Sequence, residues 1–64
     1  MKTTRISSLK KITISAENQK IAGYSKEQAI TWLLSFYSAS LHNQVDYDRV
    51  KARVYTAVKH IYGN

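Results

Sequence analysis

The most regular pattern of apolar and polar positions lies between residues 46 and 62, DYDRVKARVYTAVKHIY. Tyr47, Val50, Val54, Ala57 and Ile61 recur at alternating spacings of three and four, and Val58 and Tyr62 widen the same stripe. Arg49, Arg53, Thr56 and His60 fall on the opposite side. Apolar residues at this period mark a helix with one buried face, and the other face then carries positive charge outward. Asp46 is placed to cap this helix, with Asp48 in its first turn near the positive end of the helix dipole. Val45 and Val50 are spaced for a hydrophobic staple, and Gly63 suits the left-handed position that ends a helix.

A second helix is predicted over residues 26–41. Ser25-Lys26-Glu27-Gln28 has the form of a capping box, in which the Ser hydroxyl and the Gln side chain satisfy each other's free backbone N–H groups. Ala29, Ile30, Trp32, Leu33, Leu34, Phe36, Tyr37, Ala39 and Leu41 cover most of its circumference, as expected of a central helix. The remaining stripe is Gln28, Thr31, Ser35, Ser38 and His42, none formally charged at pH 7. It reads either as a surface where a partner helix or second subunit packs, or as a solvated face that lacks charge. Thr31, Ser35 and Ser38, with Tyr55 and Tyr62 at the rim of the last helix, are the candidate interface residues.

The amino-terminal third supports two readings. In one, Ile12 and Ile14 alternate with Lys11, Thr13 and Ser15, and this β-branched run forms a strand over about 10–15. Ser15 then caps a short helix over 16–22, ended by Gly23. In the other, residues 9–22 form one helix. Residues 1–8 read as a flexible basic arm, leaving 9–64 as a single compact domain. The fold class is therefore mainly α: two long antiparallel helices, 26–41 and 46–62, covered by a short helix and a possible strand. Trp32, Leu33, Phe36, Val50, Val54 and Ile61 are expected near the centre.

Size and composition sharpen this picture. A chain of 64 residues makes one domain at most and buries only about 60% of its unfolded surface, so stability is expected to be marginal. No Cys is present to supply a disulfide or a thiolate metal site, and association into a homodimer is the expected compensation. Ten Lys and Arg against four Asp and Glu give a formal charge of +6. So strong an excess favours polyanions: DNA, RNA, an anionic membrane surface or an acidic protein. No apolar run is long enough to cross a bilayer and the basic start lacks an apolar segment after it, so a cytoplasmic setting without membrane attachment is expected.

Catalysis finds little support. Asp46, Asp48 and Glu17 are explained by helix starts, and spacing supplies no nucleophile–base arrangement. His42 and Asp46 could stand together as ligands only if one helix ran through both, which the cap signals oppose. Neither isolated glycine makes a phosphate-cradling loop. A non-enzyme without cofactor or metal is the expectation.

Nucleic-acid binding is better supported, through two basic groups. Lys2, Arg5, Lys10 and Lys11 form one, with Lys20 nearby. Arg49, Arg53, His60 and Lys59 form the other, on the last helix. Arg engages phosphate or a base edge bidentately, and two Arg four apart on one helical face suit a groove or a backbone track. Tyr55 could stack on a base, though an aromatic at the rim of so small a core more often completes packing. Lys51, inside the apolar arc, reads as snorkelling along the tyrosines. A helix-turn-helix placing 26–41 in a DNA groove is opposed by that helix's apolar character. A ribbon-helix-helix arrangement is opposed by the roughly nine residues between strand and long helix. The leading expectation is thus a small DNA-associated regulatory or accessory protein, DNA being favoured over RNA, of a size that suits a phage or mobile-element product. The alternative is a modulator or inhibitor of a host protein, working through the central helix surface and steered by charge to an acidic partner.

Overall fold

The computed structural model describes residues 7–39 and 41–63. They form three helices: α1 (Leu9–Ile21), α2 (Lys26–Ser38) and α3 (Gln44–Tyr62). Among the described residues there is no strand, so the expectation of a strand over 10–15 and a short helix over 16–22 gives way to one continuous helix. Two local causes and one tertiary contact explain this. The Ser8 side chain, not Ser15, caps the helix by accepting from the Lys11 amide. Thr13 is accommodated in the helix by donating its hydroxyl to the Leu9 carbonyl, 2.8 Å away. Ile12 and Ala16, four apart, are the two residues of α1 that become fully buried. That is helical spacing, and it outweighs the β-branched alternation.

Gly23 ends the segment as its sequence implies. It sits at φ +98°, and the Gly23 and Tyr24 amides donate to the Lys20 and Gln19 carbonyls, both at 3.0 Å. These paired bonds satisfy carbonyls that the end of α1 would otherwise leave free. Both halves of the capping box then start α2: Ser25 N–H to Gln28 Oε1, and Gln28 N–H to Ser25 Oγ. This helix stops at Ser38 rather than 41. The Ser38 hydroxyl turns back to the Leu34 carbonyl, and the Leu41 amide closes a tight turn on the Ser38 carbonyl.

The start of α3 also differs from expectation. Asn43 is the cap, not Asp46: its side chain accepts from the Asp46 amide at 2.8 Å and donates to the Asp46 carboxylate at 3.1 Å. The helix therefore begins two residues early, with Val45 inside its first turn and 62% exposed, so no Val45–Val50 staple forms. At the other end Gly63 adopts φ +74° and donates to the Lys59 carbonyl.

The core is Ile12 and Ala16 from α1, Leu33 from α2, and Val50, Val54, Ala57 and Val58 from α3. The stripe expected on α3 is thus the inner face, with Ile61 and Tyr62 packed against it and half-buried. Leu33, Val50 and Val54 occupy the centre as expected, whereas Trp32 and Phe36 do not: they are 39% and 59% exposed. All three helices touch one another, but α3 makes the most extensive contacts and supplies most of the core, so α2 is not central. Its width of apolar residues exceeds what two neighbours can cover. Ala16, Ala29 and Ala57 are among the buried residues, and their small size lets the helix backbones approach closely.

Among the described residues four long-range bonds join the helices, one of them between the Ser15 and Tyr37 hydroxyls of α1 and α2, and the other three fix their directions. Arg53 meets Ser7 just before α1, while Lys20 near its end meets Ile61, so α1 and α3 run in the same direction. The Tyr62 hydroxyl donates to the Tyr24 carbonyl at 2.8 Å, which puts the start of α2 beside the end of α3 and makes those two antiparallel. Residues 1–6 of the expected arm, including Lys2 and Arg5, lie outside the described residues. Ser7 and Ser8 do not belong to an arm: one is tied to Arg53 and the other caps α1.

Candidate nucleic-acid interface

The parallel packing of α1 on α3 leaves a shallow groove on one side of the pair. Leu9, Lys10, Thr13 and Ile14 line it from α1, and Thr56 and His60 from α3. Arg53 lies on the same side of α3, about one turn before Thr56, and Arg49 about one turn earlier again. The fold thus brings Lys10 beside a cationic stripe that sequence separates from it by some forty residues. Arg49 and His60 are exposed, while Arg53 is half-buried and donates from Nη1 to the Ser7 carbonyl at 2.7 Å. A guanidinium has five N–H donors, so this bond fixes Arg53 and leaves others facing outward.

Other predicted cations separate from this group. Lys11 is exposed but is not part of the groove lining. Lys59 is also exposed, on the outer side of α3, about a quarter turn from the stripe. Lys20 is engaged internally: its Nζ donates to the Ile61 carbonyl at 3.2 Å and lies 5.7 Å from the centre of the Tyr62 ring. There it complements the negative end of the α3 dipole and makes a cation–π contact.

Of the four acids, Glu17 follows Lys10, Thr13 and Ile14 at helical spacing and so stands on the groove side of α1, one turn beyond them. Asp46 is held by Asn43, and Asp48 by Gln44 at 3.0 Å. Among the described residues no hydrogen bond joins a cation to a carboxylate. The first turn of α1 holds no acid, unlike those of α2 and α3, which carry Glu27 and Asp46. Lys10 and Lys11 stand there instead, where the positive end of the helix dipole disfavours them.

The candidate interface residues divide in the same way. Thr31 and Ser35 are exposed on α2. Ser38 is half-buried with its hydroxyl spent on Leu34. Tyr62 is half-buried and tied to Tyr24, and desolvation pushes its phenol above its ordinary pKa. Tyr55 is 45% exposed. The sequence reading missed Leu9 and Ile14 as surface residues, at 42% and 51% exposure. Only the helical period of α1, with Ile12 and Ala16 inward, could have placed Ile14 outside.

Asn43 interrupts the helix that would have aligned His42 with Asp46, and among the described residues no three His, Asp or Glu side chains cluster as metal ligands. Among the described residues, too, no helix is long and apolar enough to cross a membrane. No protein-family model matches the chain, and no characterised protein or solved structure shows significant similarity to it.

Proposed function

We propose that this protein is a small, non-enzymatic, DNA-associated regulatory or accessory protein acting in the cytoplasm. The contact surface is the α1–α3 face that carries Lys10, Arg49, Arg53 and His60, with Lys59 on its flank and Lys11 adding to the charge at the start of α1. One observation carries the reading: Lys10 of α1 lines a groove with His60 of α3, on the side of α3 that also carries Arg49 and Arg53, no hydrogen bond joins these side chains to a carboxylate among the described residues, and Lys10 occupies a helix start that disfavours it. Local choices that cost stability are expected where function requires them. A phosphate backbone along this face would relieve the repulsion, and Arg53, already fixed by Ser7, would meet it with little loss of side-chain freedom. Phosphate contacts position a protein without reading sequence, so most of the affinity would be electrostatic.

A second reading has one observation in its favour. The exposed Leu9 and Ile14 give the groove an apolar floor between cationic walls, which suits an acidic amphipathic segment of a partner protein. Substitutions separate the two. Arg49→Glu should weaken retention of a short duplex by at least about tenfold, whereas Leu9→Ser with Ile14→Ser should leave it unchanged. Duplex binding that survives Arg49→Glu and fails with the Leu9 and Ile14 changes would reject the DNA reading.

A further inference from the structure

The outer face of α2 is independent of the basic surface and has a composition of its own. Trp32 and Phe36 stack with ring centroids 4.9 Å apart and planes 12° from parallel, and both are exposed. Beside them lie Gln28, Thr31, Ser35 and Ala39, so that a full side of the helix bears no formal charge, with Glu27 only at its margin. A shallow depression lies at the amino-terminal half of this face, lined by Tyr24, Gln28, Thr31, Trp32 and Ser35 as well as Glu27. Phe36, the most exposed aromatic residue at 59%, stands at the carboxy-terminal edge of the depression, next to Ser35 and about one turn beyond Trp32.

We propose that a second copy of this chain packs antiparallel across this face, with Phe36 of each copy seated in the depression beside Trp32 of the other. A two-fold contact must be self-complementary, and this face holds both the projection and the recess, offset along the helix as such an axis requires. Charge argues for the same occupant. Two chains of +6 repel unless they meet through a neutral surface, and this side of α2 provides one. An acidic protein or a polyanion would find no cation on it. Thr31, Ser35 and Ala39 are small enough for two backbones to approach, while the aromatic pair supplies apolar area. The small core gives association a further role, since the chain has no Cys to form a disulfide.

A helix of 13 residues is about 20 Å long, so the contact is smaller than the roughly 800 Å² per partner of a standard interface. So small a contact suits a weak, concentration-dependent dimer. Sedimentation equilibrium on the full chain should give 7.3 kDa when dilute and approach twice that value near millimolar concentration. Emission from Trp32, the only tryptophan, should shift to the blue over the same range. Phe36→Lys and Ser35→Arg each place like charges across the axis and should raise Kd by at least about thirtyfold, with helical circular dichroism retained because both sites are exposed. Arg49→Glu should leave the mass unchanged. A monomeric mass at every concentration, or a dimer indifferent to both Phe36→Lys and Ser35→Arg, would overturn the proposal.

Discussion

The Arg53 guanidinium donates to the Ser7 carbonyl across 46 positions of sequence, joining the middle of α3 to the residue before the α1 cap. One side chain thus fastens the start of α1 while lying on the same stripe of α3 as His60, which lines the groove with Lys10. Arg49, one turn away and exposed, shares the charge but not the bond.

This difference separates stability from binding. A hydrogen bond from a charged donor contributes about 1.5–3 kcal/mol when buried, and the half-exposure of Arg53 lowers that to roughly 1 kcal/mol. Arg53→Ala should therefore reduce unfolding free energy by about that amount in urea titrations, whereas Arg49→Ala should stay within about 0.5 kcal/mol of wild type. Equal effects on stability would mean that the Arg53–Ser7 bond contributes little.

Lys10 and Lys11 allow the converse test. Each opposes the dipole at the start of α1, so Lys10→Glu and Lys11→Glu should stabilise the fold, by roughly 0.3–1 kcal/mol each. Under the functional reading Lys10→Glu should at the same time weaken duplex binding several-fold. A variant more stable than wild type and binding as tightly would show that Lys10 is no part of the contact surface.

The placement of aromatic residues predicts an unusual ranking of truncations. Leu33→Ala removes a fully buried side chain and should cost about 2–4 kcal/mol, a large share of the stability of so small a domain. Phe36→Ala, at an exposed site, should cost less than about 1 kcal/mol in dilute solution. Comparable losses in urea melts would place Phe36 back in the core.

Much of this arrangement was legible beforehand, and the exceptions have physical reasons. The inner stripe of α3 and the capping box at Ser25 depend on local period and on reciprocal bonding between near neighbours, which sequence displays directly. Residues 9–15 were ambiguous because Ile12 and Thr13 suit either a strand or a helix. What decides is a tertiary contact, the burial of Ile12 and Ala16 against α3, together with Ser8 taking the cap. Trp32 and Phe36 were misplaced because apolarity marks a residue as wanting cover without saying whether its own chain can supply it. On α2 there are more such residues than α1 and α3 can cover. The convergence of Lys10 with Arg53 and His60 needed the parallel packing of α1 on α3, which no local pattern encodes.

Tyr62 supplies a pH test of the packed end of α3. Its phenol is tied to the Tyr24 carbonyl, and desolvation raises its pKa above the ordinary value of about 10. The folded state therefore resists ionisation more than the unfolded state does. The contribution is complete below the unfolded pKa and is lost as pH rises through the folded one. Thermal melts should fall more steeply above about pH 10 for wild type than for Tyr62→Phe. Parallel curves for the two proteins would remove this linkage.

The most direct test of the account is the salt dependence of binding to a short duplex, followed by fluorescence anisotropy. Neutralising about four phosphates predicts a slope near −3.6 for log affinity against log salt, and Arg49→Ala should make it shallower by about 0.9. A slope near zero, or one that Arg49→Ala leaves unaltered, would contradict the assignment of the α1–α3 face to a polyanion.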